Sequence, residues 1–481
     1  MNVEIVNELR AILGEKGLIE SSTRMVPYES DGLAILRQRP SLVVLPRNTE
    51  ETAQCMRILH REGIPIVPRG AGTGLAGGAT PVEGGVVVGT ARMRNVLEIN
   101  TVDRFARVQA GLVNEKLSRA CAEHDLFYAP DPSSQRACTL GGNVSANSGG
   151  PHCFKYGNTT QHVQGLVIVT HDGEILDLSA ADVDPLGYDL VGLFVGSEGT
   201  FGIATEITLR LVRKPDVVET LLAVFPDLES ACDSATEMIA RRLEPSAIEI
   251  LDKLTIAAVE DSVYAAGYPR EAGAVMLVEV EGLVEEVNAN STDIRAIFEQ
   301  FGAIEVRTAR DAEERLGLWA GRKGAFGAMG RVAPDLYVAD ACVPRTKIGA
   351  MVKNTIRIAK ERNLRLATVF HAGDGNLHPN ICYDRRDADE VKRVLEAGRL
   401  ILESCIDAGG SLTGEHGVGL EKLEQMEYQF SPEDLAAMCT VRGVWDPELR
   451  LNPGKLIPIR ACMETRAAFA NTRPATTPTV S

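Results

Sequence analysis

Two short segments hold most of the residues able to do chemistry. One reads His371-Ala372-Gly373-Asp374-Gly375-Asn376-Leu377-His378-Pro379-Asn380, the other Gly414-Glu415-His416-Gly417. The chain has 8 histidines, and three of them fall here. A Gly-Asp-Gly turn after the strand-like run 364–370 lets the chain reverse, so His371 and His378 can converge. With Glu415 they offer two imidazoles and a carboxylate, the donor count of an open catalytic site for Zn²⁺, Fe²⁺ or Mn²⁺ with room for a substrate oxygen. The spacing has no helical logic, unlike H-E-x-x-H, and a pair of hydrogen-bonded turn histidines fits it as well. An imidazole beside a cation has a lowered pKa and can accept a proton at neutral pH, so His416 is the candidate general base or else a brace for Glu415.

A second group of residues could cradle phosphate. Gly72-Thr73-Gly74-Leu75-Ala76-Gly77 matches G-x-G-x-x-G after a strand-like run, with Glu98 downstream at the distance of a ribose contact. A dinucleotide fingerprint must open a helix, however. Here Gly77, Gly78, Pro81, Gly84 and Gly85 follow and cannot sustain one. A nest of exposed main-chain N–H groups is the alternative that still takes phosphate, and a plain Gly-rich hairpin is the other. Two further loops resemble it. One runs from Asp131-Pro132-Ser133-Ser134 through Thr139-Leu140-Gly141-Gly142-Asn143-Val144-Ser145-Ala146-Asn147-Ser148-Gly149-Gly150, the other is Gly196-Ser197-Glu198-Gly199-Thr200-Phe201-Gly202-Ile203. Three such loops in one β-rich region suit a cofactor as long as FAD.

The elements that must position these residues fall into four stretches. Residues 1–37 read as a helical segment, 38–215 as short strands with Gly-rich turns, 216–460 as longer helices (227–242, 283–301, 345–363, 387–408) alternating with strands, and 461–481 as a frayed tail. At 481 residues the chain fits two or three domains. Its formal charge of −16 argues against nucleic acid as a partner and requires an acidic substrate to find local cations. Its 10 cysteines contain no C-x-x-C pair, which argues against an iron–sulfur cluster in this chain and reads as free thiols of a cytoplasmic protein. No apolar run reaches the length of about eighteen residues that a membrane span needs, and the N-terminus has no signal-peptide pattern.

The motifs P-R-G-A-G-T-G-L, T-L-G-G-N-V-S-A-N-S-G-G and G-S-E-G-T-F-G-I together resemble the flavin-binding loops of the FAD-linked oxidases related to vanillyl-alcohol oxidase and p-cresol methylhydroxylase. Within these the chain is most similar to glycolate oxidase catalytic subunits and D-lactate dehydrogenases. The resemblance spans about residues 20–460. It implies an α+β protein: a two-subdomain FAD-binding domain followed by an antiparallel-sheet-and-helix substrate cap. The implied FAD contacts are Arg69, Gly70, Ala71, Gly72, Thr73, Gly74, Leu75, Pro132, Ser133, Thr139, Gly141, Gly142, Asn143, Ala146, Asn147, Gly149, Glu198, Gly199, Gly202 and Ile203. Asn452 of Asn452-Pro453-Gly454-Lys455 is expected near the flavin ring. His152 and Cys153, after the second loop, are weak candidates for covalent flavin attachment.

H-x-G-D-G-N-x-H-x-N with a later G-E-H-G also looks like the metal-bearing motif of D-2-hydroxyacid dehydrogenases. Carried over, His371, His378 and Glu415 are the ligands of a divalent metal, zinc or else iron or manganese. His416, Arg322 and Asn380 are the catalytic residues, with Arg322 of Trp319-Ala320-Gly321-Arg322-Lys323 clamping the substrate carboxylate. Relatives that oxidise D-2-hydroxyglutarate hold its second carboxylate with a Thr and a Lys, and Phe326 and Val338 stand at those positions here. The implied substrate is therefore a small 2-hydroxy monocarboxylic acid, glycolate or D-lactate. The resemblance also implies iron–sulfur and second flavin-type partner subunits, with at most peripheral attachment at the inner face of the membrane. A stand-alone D-lactate or other D-2-hydroxyacid dehydrogenase and a non-catalytic electron-relay subunit are the alternatives.

Overall fold

The computed structural model describes residues 1–178 and 187–458, so the expected tail at 461–481 lies outside the described residues. Before residue 214 there are two main sheets. The first has the order Leu18–Ile19, Leu42–Val44, Val86–Gly89, Ile66–Arg69, the last three parallel. The helix Thr49–Arg61 makes the crossover, capped by Asn48 accepting from Glu51 N. The second is antiparallel throughout, in the order Val96–Asn100, Phe105–Gln109, Ile203–Arg210, Val163–Val169, Ile175–Asp177.

From Val217 onward the chain builds a third, nine-stranded sheet. Its long central strands, Val217–Phe225, Ala274–Gly282, Ala247–Asp252 and Arg365–His371, pair antiparallel. Their nearly continuous apolar runs follow from burial on both faces. Leu221, Ala223 and Phe225 pack into one core with the helices Leu228–Ala240, Val284–Gln300, Ile348–Glu361 and Ala388–Asp407. Leu222, Val224, Leu251 and Leu277 alternate onto the other face. There they meet Leu318, Ala325 and Ala328 of the helix Ala312–Ala328 and Ile256 and Val259 of the helix Lys253–Glu260.

That second face positions the site. Glu249 has the strand parity of Leu251, and Glu279 that of Leu277, so both acids point toward the helix Ala312–Ala328. Asp311 caps this helix by accepting from Glu314 N, and Glu313 and Glu314 favour its first turn. Trp319 and Arg322, three residues apart, share one side of it. Neither this helix nor the strand Ala247–Asp252 was among the expected elements.

Candidate active site

The strand Arg365–His371 ends at the Gly-Asp-Gly turn and returns through Asn376–Leu377, with His371 opposite Asn376. Gly375 sits at φ +81, and a Cβ there would meet Val343 O at 2.3 Å, so only glycine closes this turn. The reversal brings the imidazoles of His371 and His378 to 5.0 Å between centroids, at right angles. Both aim Nε2 at one oxygen: Glu415 Oε1 lies 3.4 Å from His371 and 3.1 Å from His378. The ring of His416 stacks on His378 at 5.0 Å, 7° from parallel. The turn and the Gly-Glu-His-Gly loop therefore converge.

The buried residues behind this trio were not anticipated. Glu249 lies opposite His371 in the strand pairing and its Oε1 is 2.6 Å from His371 Nδ1. Its other oxygen takes Arg322 Nε and Nη2. Across the site, Asp340 and Lys422 form a second fully buried ion pair at 3.0 Å. The only sequence signals were an acid inside the apolar run Ala247-Ile248-Glu249-Ile250-Leu251 and another in Val338-Ala339-Asp340-Ala341, each costly to bury unpaired.

Burial disfavours charge on His371, but Glu249 and Glu415 outweigh it and hold its pKa well above the ordinary value. Glu415 is held well below the carboxylate range because hydrogen bonds from both histidines overcome its desolvation. Burial pushes His416 down to about 4, so its ring is neutral at pH 7.

A cavity of about 520 Å³ joins this cluster to the glycine loops. Its wall includes Arg322, His378, Asn380, Glu415 and His416, while His371 stands behind it. On the other side are all of Arg69–Leu75, then Pro132, Ser133, Thr139, Gly141, Gly142, Asn143 and Ala146, and finally Glu198, Gly199, Gly202 and Ile203. The first glycine loop does not continue into a helix, whereas the second opens the helix Leu140–Ala146, capped by Thr139 accepting from Gly142 N.

Several anticipated contacts have other work. Asn147 and Gly149 do not line the cavity. Asn147, at φ +49, accepts from Thr160 N, and a Cβ on Gly149 would meet Glu415 Oε2 at 2.6 Å. Gly149 thus makes room for the carboxylate. Asn452 is also off the cavity, its amide holding the carbonyls of Gly78 and Glu198 from behind at 2.9 and 2.7 Å. The Arg69 guanidinium is turned back onto the carbonyls of Pro27, Ser30 and Ala79, although the residue is part of the cavity wall. Glu198 accepts from the amides of Val418 and Gly419, tying the third loop to the Gly-Glu-His-Gly segment. His152 has both ring nitrogens on carboxylates, Asp131 at 2.9 Å and Glu279 at 3.1 Å, so neither is left for a flavin.

The residues present suit both groups that the motifs imply. A Cβ on Gly74 would meet only Asp31 Oδ2, at 3.9 Å, so bare main chain faces the cavity there, as a phosphate-cradling loop needs. The donor atoms of His371, His378 and Glu415 all lie within 4.8 Å of one another. With Nδ1 of His371 fixed on Glu249, its Nε2 is the atom that could ligate a cation, as where a carboxylate orients a metal-bound imidazole.

The chain is similar to known proteins over nearly its whole length. The signature of the FAD binding domain matches residues 40–179, and that of the FAD linked oxidases, C-terminal domain, matches residues 214–456. The chain is 44% identical to the glycolate oxidase subunit GlcD of Escherichia coli over 448 residues, 93% of this chain and 90% of that protein. It is 30% identical over 462 residues to the D-lactate dehydrogenase of Anaerostipes hadrus, covering 94% and 97%. The crystal structure of p-cresol methylhydroxylase with substrate bound superposes with a TM-score of 0.80 at 16% identity, over 95% of this chain and 97% of that one, which bears on the fold alone. With both halves matched and a cavity running between them, the chain belongs to the FAD-linked oxidases and is an FAD-dependent enzyme of that family.

Proposed function

We propose that this enzyme oxidises a small 2-hydroxy monocarboxylic acid, glycolate or D-lactate, to the 2-oxo acid. The observation that carries the reading is the meeting of the glycine cradle with Arg322, His416 and the His371–His378–Glu415 trio around one cavity. When bound, FAD supplies the hydride acceptor and a divalent cation on His371, His378 and Glu415 supplies Lewis acidity toward the substrate hydroxyl.

The chain's own residues do the rest. Arg322 is held by Glu249 through Nε and Nη2, leaving Nη1, which makes no hydrogen bond among the described residues, for the substrate carboxylate. That supplies the local cation a chain of −16 needs. His416 lines the cavity and takes the hydroxyl proton. Asn380, on the same wall, is bound through its amide to His378 O at 2.7 Å and keeps its carbonyl oxygen for the substrate. Phe326 and Val338 line the cavity where a second carboxylate would need a partner, and neither can pair with a charge. The Escherichia coli relative is a subunit; by that likeness the electrons leave to partner subunits.

The test is anaerobic titration of the yellow protein with a panel of hydroxyacids, beside elemental analysis of the same sample. Glycolate or D-lactate should bleach the flavin, 2-hydroxyglutarate should not, and about one divalent metal per chain should be found. Bleaching by 2-hydroxyglutarate alone would refute the substrate class.

A further inference from the structure

Each imidazole has a buried carboxylate–cation pair behind it, hydrogen-bonded to His371 but only near His378. Behind His371 stand Glu249 and Arg322, and behind His378 stand Asp340 and Lys422. Asp340 Oδ1 lies 3.7 Å from His378 Nδ1, which has no hydrogen-bond partner. Lys422 Nζ reaches both the carboxylate and the main-chain oxygen of Asp340, at 3.0 and 2.9 Å. The same carboxylate accepts from Thr413 Oγ1 at 2.7 Å and from the consecutive amides of Gly414, Glu415 and His416 at 2.9, 3.2 and 3.1 Å. Three successive N–H groups on one anion make a nest, and this nest is the segment that presents Glu415 and His416. Asp340 itself does not line the cavity. Yet it touches every part of the cluster except His371. A fully buried ion pair is weak evidence for stability, so its position calls for another account.

We infer that Asp340, neutralised by Lys422, is a positioning residue of the cation site: it favours the His378 proton on Nδ1, so that Nε2 can offer its lone pair to a cation shared with Glu415, and it fixes the turn carrying Glu415. The inference rests on the cation reading above. Removing a partner of this kind weakens metal binding by roughly 10–100-fold.

The experiment is a zinc titration of FAD-loaded, metal-stripped, full-length protein, read by competition with a chromogenic chelator, for wild type and Asp340→Asn. FAD content should stay near wild type while the zinc Kd rises by roughly 10–100-fold, and Asp340→Glu should recover part of it. A merely structural Asp340 would lower the melting temperature and leave the Kd of the folded fraction unchanged; that result overturns the inference. If Asp340→Asn does not accumulate folded, the pair Asp340→Asn, Lys422→Met removes both charges and leaves no unpaired buried ion. Its Kd is then the test, with weakening expected and equality overturning. Wild-type protein that takes up no zinc would sink the cation reading and this inference together, whereas equal binding by wild type and variant sinks this inference alone.

Discussion

Two histidine–carboxylate clusters sit side by side under the helix Ala312–Ala328, on the same face of the large sheet. Around His152 everything is paired. Asp131 and Glu279 take its two nitrogens, Lys323 binds Asp131 at 2.8 Å, and Glu279 also accepts from Trp319 and Thr220 at 2.6 and 2.7 Å. Two carboxylates face one imidazolium and one ammonium, so charge and hydrogen bonds both close. Around Glu415 they do not. Two imidazoles share one carboxylate oxygen, and Nδ1 of both His378 and His416 is buried without a partner. The same residue type is pushed opposite ways: burial opposes charge on His152, but Asp131 and Glu279 raise it to about 10, whereas burial lowers His416 to about 4. Depth does not separate the two clusters; unsatisfied ring nitrogens do, and leaving them so costs stability.

The contrast is sharpest when one histidine is removed from each cluster. His378→Ala should abolish flavin reduction by hydroxyacid and metal content together, with FAD near stoichiometric, as absorbance and elemental analysis would report. Metal at wild-type level would take His378 out of the site and erase the distinction. His416→Gln should keep FAD and metal and lose rate by roughly 10²–10⁴-fold, the worth of a positioned base. A near-normal rate in stopped-flow reduction would leave His416 a brace like His152.

The sequence displayed these two clusters unequally. The open one was legible because its members lie in two short glycine-bounded motifs, where turn residues announce convergence; even the strand before the turn could be read from its apolar run. The closed one was invisible. Its members come from residues 131, 152, 220, 279, 319 and 323, and the pairing of Val217–Phe225 with Ala274–Gly282, which sets Thr220 opposite Glu279, the placement of one helix and the seating of residues 131 and 152 against them bring these together. Glu249 and Asp340 escaped for the same reason: a lone acid in an apolar strand has no local signature. The helix Leu140–Ala146 escaped because Leu140-Gly141-Gly142-Asn143 has poor helix propensity, and its Thr139 cap and tertiary packing override that. Asn452 was expected near the flavin from the resemblance of Asn452-Pro453-Gly454-Lys455 to the family's closing motif, which carries no sign that its amide is taken up by the carbonyls of Gly78 and Glu198.

His152→Gln supplies the opposite expectation to His378→Ala. Breaking a buried pair by removing one partner costs about 3–5 kcal/mol, so denaturant unfolding should show a loss of that size. Flavin reduction by the folded fraction should stay near wild type. Loss of reduction without loss of stability would mean the closed cluster also takes part in chemistry.

The smallest effect concerns pH. His152 titrates near 10 in the folded chain against an ordinary 6.5, so the stability it contributes is complete below about 6.5 and drains away as pH rises through 10. Asp131, held below the usual 3.8 by His152 and Lys323 despite its burial, contributes above that value and loses its share only in acid. The closed cluster is therefore at full strength from about pH 4 to 6.5 and weakens toward alkali. The Tm gap between wild type and His152→Gln should be widest in that window and narrow steadily to pH 10, because above about 6.5 the unfolded imidazole has given up the proton that the folded one still holds, so folding must take a proton up, as the glutamine never does. A gap that stays constant across this range would mean that His152 is neutral in the fold, and that its pairing with Asp131 and Glu279 is hydrogen bonding without charge.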